Sequence, residues 1–128
     1  MIRSKKYISV VMVEDDDLFT MMLDLKLSGS TINYKLTSLS TGEEALEVLT
    51  DRNRILPSLI ILDYRLPGIN GLLLLKKIIK LKLGSPVLML SAKKDLELAA
   101  ECIKSGATEY IVKDSKAIGK LSDFINTL

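Results

Sequence analysis

Five short apolar runs, each followed by a stretch with helical spacing, constrain this chain most tightly. The sharpest of them is Leu59-Ile60-Ile61-Leu62, four aliphatic residues that lead straight into Asp63. The run is too short to cross a membrane, and turn chemistry follows it at Pro67-Gly68 and Asn70-Gly71. It therefore reads as a strand of a parallel sheet, buried on both faces. A carboxylate stands where that strand opens into a loop, the edge at which open α/β sheets bind ligands. Taken alone, the segment suits a functional acid and an ordinary polar strand end equally.

The other runs repeat the pattern. Residues 8–13 form the first strand, and Glu14-Asp15-Asp16-Asp17 follows at once. Leu18, Met21, Met22 and Leu25, with Leu27 behind them, recur at helical spacing and predict a helix over Asp17–Ser28, capped by Asp16 or Asp17. Residues 34–39 alternate as a half-buried second strand. Thr41, with Glu44 three residues on, marks the start of a second helix whose apolar face is Ala45, Leu46 and Leu49 and which stops before Pro57. Residues 59–62 are the third strand and 71–81 the third helix, closing near Gly84. Residues 86–90 are the fourth strand. Leu96, Ala99, Ala100 and Ile103 are expected on the inner face of the fourth helix, which Gly106 ends. Residues 109–112 are the fifth strand, and Ile118, Leu121, Phe124 and Ile125 face the core from the fifth helix. Strands alternating with helices predict an α/β fold, a single doubly wound (βα)5 parallel sheet with right-handed crossovers and helices on both faces.

Composition narrows the function. A chain of 128 residues is expected to form one domain, and with four Tyr, two Phe and no Trp its core must come from Leu, Ile and Val. A net charge of +2, carried by scattered lysines, argues against direct nucleic acid binding. The absence of His excludes histidine catalysis and histidine-ligated zinc within the chain. The single Cys102 excludes an internal disulfide and a multi-cysteine metal site, and is read as a structural or surface helix residue. The opening residues 1–7 are basic, but the apolar run after them ends in four acids, which is neither a signal peptide nor a membrane span. Residues 72–83 are apolar but interrupted by Lys76, Lys77, Lys80 and Lys82, as in an amphipathic helix with a solvated lysine face. No membrane partner is expected, and a reducing cytoplasmic setting fits.

In a parallel sheet all carboxyl ends lie on one edge. Those ends carry Glu14 and Asp15, Asp63, Ser91 and Lys113. Each has an ordinary alternative: the first two acids can cap a helix, as Asp16 and Asp17 can, Ser91 can begin the fourth helix, and Lys113 can be a solvated loop lysine. Together they are three acids, a hydroxyl and an ammonium from four segments. Carboxylates so gathered repel unless a cation or proton intervenes. A hard divalent ion with oxygen ligands answers that charge, Mg²⁺ first and Mn²⁺ as a substitute. The residue types suit phosphoryl transfer to a carboxylate. Asp63 would attack phosphorus, Asp15 and Glu14 would hold the metal directly or through water, and the backbone carbonyl of Arg65 would be a further ligand. Lys113 would hold one phosphoryl oxygen and Ser91 would donate to another.

The chain resembles a bacterial response-regulator receiver domain over almost its full length. The resemblance rests on Val13-Glu14-Asp15-Asp16, on Leu62-Asp63-Tyr64-Arg65-Leu66-Pro67-Gly68 with Asn70-Gly71, on Leu90-Ser91-Ala92, and on Gly106-Ala107-Thr108-Glu109-Tyr110-Ile111-Val112-Lys113. It implies a flavodoxin-like strand order 2-1-3-4-5. It implies that Asp63 accepts phosphate from the phosphohistidine of a histidine kinase or a histidine phosphotransfer protein. It implies a switch in which Ser91 moves toward the phosphate and Tyr110 changes rotamer, remodelling the face of the fourth helix, fifth strand and fifth helix for a downstream protein. Such a domain is a signalling module, catalysing only its own phosphorylation and dephosphorylation. All of 1–128 is expected to be receiver, with no output domain in this chain.

Several departures from the commonest family pattern matter. Glu14 stands where Asp is more usual, and Ser91 where Thr is common. Asp114 follows Lys113 where many members have Pro after a cis bond; a cis bond before Asp114 would cost about 3 kcal/mol. Arg65 and Lys93 occupy variable positions beside the site, and two long cations there would shield a phosphoaspartate from water. Four other readings compete. One is the receiver piece of a hybrid kinase, or a phosphorelay shuttle. A haloacid-dehalogenase-type phosphatase wants a second Asp two residues after the nucleophile, where Arg65 stands. A flavodoxin-type nucleotide protein wants a phosphate loop after the first strand, where acids stand. A degenerate receiver would lack part of the Asp63, Ser91 and Lys113 set.

Overall fold

The computed structural model describes residues 7–53 and 56–128. The basic opening stretch up to Lys6 lies outside the described residues. The elements are β1 (Tyr7–Val13), α1 (Asp17–Ser28), β2 (Asn33–Leu39), α2 (Gly42–Thr50), β3 (Leu59–Asp63), α3 (Gly71–Lys80), β4 (Val87–Ser91), α4 (Leu96–Lys104), β5 (Glu109–Val112) and α5 (Ala117–Asn126). The five strands pair in parallel in the order β2-β1-β3-β4-β5.

The unbroken apolar runs are explained by the two layers that cover the sheet. Val11, Val13, Ile60, Leu62, Val87 and Met89 point to one face, where Ala45 and Leu49 of α2, Leu74, Leu75 and Ile78 of α3 and Cys102 of α4 meet them. Their neighbours Val10, Met12, Leu59, Ile61, Leu88 and Leu90 point to the other, against Leu23 and Leu27 of α1 and Leu121 and Ile125 of α5. A strand with a period of two can be apolar throughout only if both faces are dry. Each fully buried leucine, Leu74 for example, contributes about 1.5–3 kcal/mol through burial.

The helix starts follow local chemistry. Asp16 caps α1, its carboxylate accepting from the N–H groups of Leu18 (3.1 Å) and Phe19 (3.2 Å). Thr41 caps α2 through the Glu44 N–H at 3.1 Å, and Asn70 caps α3 through the Leu73 N–H at 2.9 Å.

Two helices are turned differently from the sequence expectation. Leu18, Met21, Met22 and Leu25, expected to line the inner side of α1, are 61, 61, 49 and 73 % exposed. The inner side is Leu23 and Leu27, with Phe19 half-buried beside them. Phe19, Leu23 and Leu27 form an equally regular stripe, and spacing cannot rank two apolar stripes on one helix. In α4, Leu96, Ala100 and Ile103 face outward; Leu98 and Cys102 face the sheet, and Ala99 is half-buried. Cys102 is fully buried, and burial, with the charge of Glu101 behind it, pushes its thiol pKa up. No helix among the described residues is long and apolar enough to cross a membrane.

Candidate phosphoacceptor site

Parallel register brings the strand ends to one edge. Val13 pairs with both Leu39 and Leu62, Asp63 with Leu90, and Ser91 with Val112. Backbone bonds continue past the strands: Glu14 N–H donates to the Leu39 carbonyl (2.9 Å), Tyr64 N–H to Leu90 (2.8 Å) and Lys113 N–H to Ser91 (2.8 Å). The site residues therefore ride on a rigid ladder.

Glu14, Asp15 and Asp63 each offer a carboxylate oxygen, and these oxygens lie within 4.8 Å of one another. Glu14 and Asp63 are buried, while Asp15 is exposed. The Lys113 ammonium bonds Glu14 Oε1 and stands 3.6 Å from Asp63 Oδ2. Burial, then the bond with Asp63, pushes the Glu14 carboxyl up to about 7, against the downward pull of Lys113. For Lys113, burial acts to lower the pKa, but the Glu14 bond and the charges of Asp63, Glu14 and Asp16 outweigh it and raise it. Three clustered oxygen donors, two of them buried and balanced by one ammonium, suit a hard divalent cation such as Mg²⁺ or Mn²⁺.

The loop after Asp63 is shaped by two glycines. Gly71 N–H donates to the Tyr64 carbonyl (2.8 Å), and a Cβ on Gly71 would stand 2.6 Å from Tyr64 Cα. Gly68 has φ +79°, the left-handed region that favours glycine. Glu43, at the start of α2, reaches across to accept from the Ile69 N–H at 3.1 Å. Arg65 sits in this loop with its side chain exposed.

Ser91 is buried, and its hydroxyl accepts from the Lys93 N–H at 3.3 Å. Asp95, not Ser91, caps α4. The Tyr110 hydroxyl donates to the Lys93 carbonyl at 2.8 Å, so one residue of the β4–α4 loop is tied to both. Tyr64, Arg65, Ser91, Lys93, Asp95 and Glu101 line an open groove of about 350 Å³ between the β3–α3 and β4–α4 loops. Among the described residues there is no cis peptide bond, so Lys113–Asp114 is trans.

Glu14, Asp15, Asp63 and Lys113 thus converge, with Ser91 on the adjoining strand end and Arg65 in the loop after Asp63; Tyr110 is joined to Ser91 only through Lys93. Sequence reasoning missed two neighbours. The Phe19 ring lies under Lys113 Nζ, with 5.0 Å from nitrogen to ring centroid. Glu43 clamps the loop. Phe19 was hidden by the competing stripe of α1, and Glu43 by its ordinary place in the first turn of a helix.

Comparison with known proteins shows the family. The family model described as "Response regulator receiver domain" matches residues 10–125. The chain is 33% identical over 101 residues to the DNA-binding transcriptional regulator NtrC of Klebsiella pneumoniae, covering 79% of this chain and 20% of that protein. It is 31% identical over 105 residues to the transcriptional regulatory protein AfsQ1 of Streptomyces coelicolor, covering 82% and 44%. A response-regulator structure from Chloroflexus aurantiacus superposes with a TM-score of 0.77 at 31% identity, covering 96% of this chain and 100% of that one. The chain therefore spans a fifth to under a half of these curated relatives.

Proposed function

We propose that this chain, which belongs to the response regulator receiver domain family, takes a phosphoryl group onto Asp63 from the phosphohistidine of a histidine kinase or a histidine phosphotransfer protein. The observation that carries the proposal is the meeting of Glu14, Asp15, Asp63 and Lys113 at one sheet edge, with Lys113 Nζ 3.6 Å from Asp63 Oδ2. The chain contains no histidine, so the donor is another molecule.

An Asp63 carboxylate oxygen forms the new O–P bond. The P–N bond to the donor imidazole breaks, and its electron pair stays on that nitrogen. Lys113 receives one phosphoryl oxygen as a point charge, and the Ser91 hydroxyl donates to another. Glu14, Asp15 and Asp63, with the Arg65 carbonyl, would hold Mg²⁺ or Mn²⁺. The ion neutralises charge on the transferring oxygens when bound. Return to the resting state follows when water attacks phosphorus and the Asp63 carboxylate leaves.

The readout runs through the β4–α4 loop. As Ser91 turns to the phosphate it gives up the Lys93 N–H, whose own carbonyl holds Tyr110. The α4-β5-α5 face is then remodelled for a downstream protein. The outward stripe Leu18, Met21, Met22 and Leu25 on α1 supports protein contact beside the site. In this reading the module works in the cytoplasm, all of residues 1–128 is receiver, and neither nucleic acid nor membrane is bound directly. Incubation with Mg²⁺ and acetyl phosphate, followed by intact mass measurement, tests it. One added phosphoryl group is expected, and none in Asp63→Asn; the same addition in both would defeat the assignment.

A further inference from the structure

Among the described residues, three side chains meet the Lys113 ammonium as hydrogen-bond, ion-pair or cation–π partners. Two are anions, Glu14 and Asp63. The third is the Phe19 ring, with its centroid 5.0 Å away. Asp16 fixes where the ring stands, because its carboxylate accepts from the Phe19 N–H at 3.2 Å in the first turn of α1. The ring is half-buried, packed against the cluster that includes Leu23, Leu27 and Leu121.

The three partners differ in what happens to them during phosphorylation. On the proposed reading, Glu14 and Asp63 would serve as metal ligands, and Asp63 also becomes the phosphate ester. Both carboxylates would then share their charge with another partner and hold Lys113 less strongly. The aromatic face would not. It attracts the cation electrostatically but is no rival acceptor for the N–H groups that must reach the phosphoryl oxygen. It also covers one side of a long, flexible side chain that water would otherwise draw out.

We propose that Phe19 is a positioning residue: its ring face holds the Lys113 ammonium over the site while the carboxylate partners of Lys113 change roles. This rests on the phosphoacceptor reading of Asp63 and Lys113. The part played by Phe19 is separable from it, because a phenyl ring can be neither the nucleophile nor a ligand to a hard divalent ion.

A double-mutant cycle tests the inference, with phosphorylation by acetyl phosphate and Mg²⁺ followed by intact mass. Phe19→Leu keeps the apolar contact and loses the ring; it is expected to slow phosphorylation about three- to tenfold. Phe19→Tyr keeps the ring and should restore the rate to within about twofold. In a Lys113→Ala background, Phe19→Leu should have no further effect, because the residue through which it acts is gone. A purely structural role would slow both backgrounds alike and ignore the difference between Leu and Tyr. Should Phe19→Leu fail to fold, Phe19→Met takes its place in the same cycle.

An independent readout needs no phosphate. The ε-methylene protons of Lys113, shielded by the ring, should move to the ordinary lysine position in proton NMR of Phe19→Leu and stay shielded in Phe19→Tyr. A parental rate in Phe19→Leu, an equal loss in Phe19→Tyr, or unshifted protons would overturn the inference. A Lys113→Ala protein phosphorylated at the parental rate would instead overturn the role of Lys113 itself, and no phosphorylation of the parent would overturn the reading beneath both.

Discussion

Lys113 Nζ stands 3.6 Å from Asp63 Oδ2 while bonded to Glu14, so one ammonium balances two buried carboxyl groups that come from β3 and the end of β1. Removing it leaves those carboxyls without a counter-charge. Lys113→Ala is expected to destabilise the metal-free protein by about 1–3 kcal/mol at pH 8, the cost of leaving buried charge uncompensated at a site still partly reached by water. The loss should shrink at pH 6, where Glu14 takes a proton, and shrink again on adding Mg²⁺. Urea titrations at the two pH values, with and without Mg²⁺, check this. A loss independent of both would contradict it.

Glu14 gives the site a pH dependence whose sign is fixed. Its pKa is raised from 4.5 to about 7, so between those values the folded chain holds a proton that the unfolded chain has lost. Stability of the metal-free protein should therefore fall as pH rises through this window, as far as Glu14 contributes. Lys113 acts elsewhere: its raised pKa contributes stability that is lost only when pH climbs past the ordinary lysine range. On the proposed reading Mg²⁺ binds ionised Glu14, so its affinity should rise by up to about tenfold per pH unit below 7 and level off above. Calorimetric titration from pH 6 to 8 measures this slope, which Glu14→Gln should remove.

Tyr110 and Ser91 meet through the peptide groups of Lys93. Tyr110→Phe deletes one neutral hydrogen bond, expected to cost about 0.5–1.5 kcal/mol. Amide exchange in the β4–α4 loop should speed up, while the rate of phosphorylation at Asp63 should not change. Slowed phosphorylation in this variant would place Tyr110 in the chemistry rather than in the readout.

Arg65 and Lys93 flank the groove beside Asp63 with exposed side chains. Both are long enough to cover a phosphoryl group and exclude the attacking water. Arg65→Ala and Lys93→Ala should each shorten the lifetime of the phosphorylated form several-fold, followed by intact mass after the donor is removed. Loss within seconds in the parent, unaltered in both variants, would contradict the shielding.

Much of the fold is legible in the sequence. Leu59 to Leu62 could be apolar at every position only in a doubly covered strand, and Asp63 then had to lie at its carboxyl end. The same logic placed Glu14, Ser91 and Lys113. Helix faces were less legible. On α1 the stripe Leu18, Met21, Met22, Leu25 competes with Phe19, Leu23, Leu27, and the choice depends on how the helix docks between β1 and α5, a tertiary matter. Cys102 likewise took the inner place on α4 that Ile103 was expected to fill. The contact of Phe19 with Lys113 joins residues far apart in sequence and leaves no local pattern.

On the proposed reading Asp63, and no other acid of the cluster, becomes the phosphate ester. Borohydride reduction of the phosphorylated chain, followed by peptide mass mapping, tests it directly, because reduction turns an aspartyl phosphate into homoserine. Homoserine at position 63 alone, dependent on Mg²⁺, is the predicted result. Homoserine at position 15 or 16, or at none, would contradict Asp63 as the phosphoacceptor.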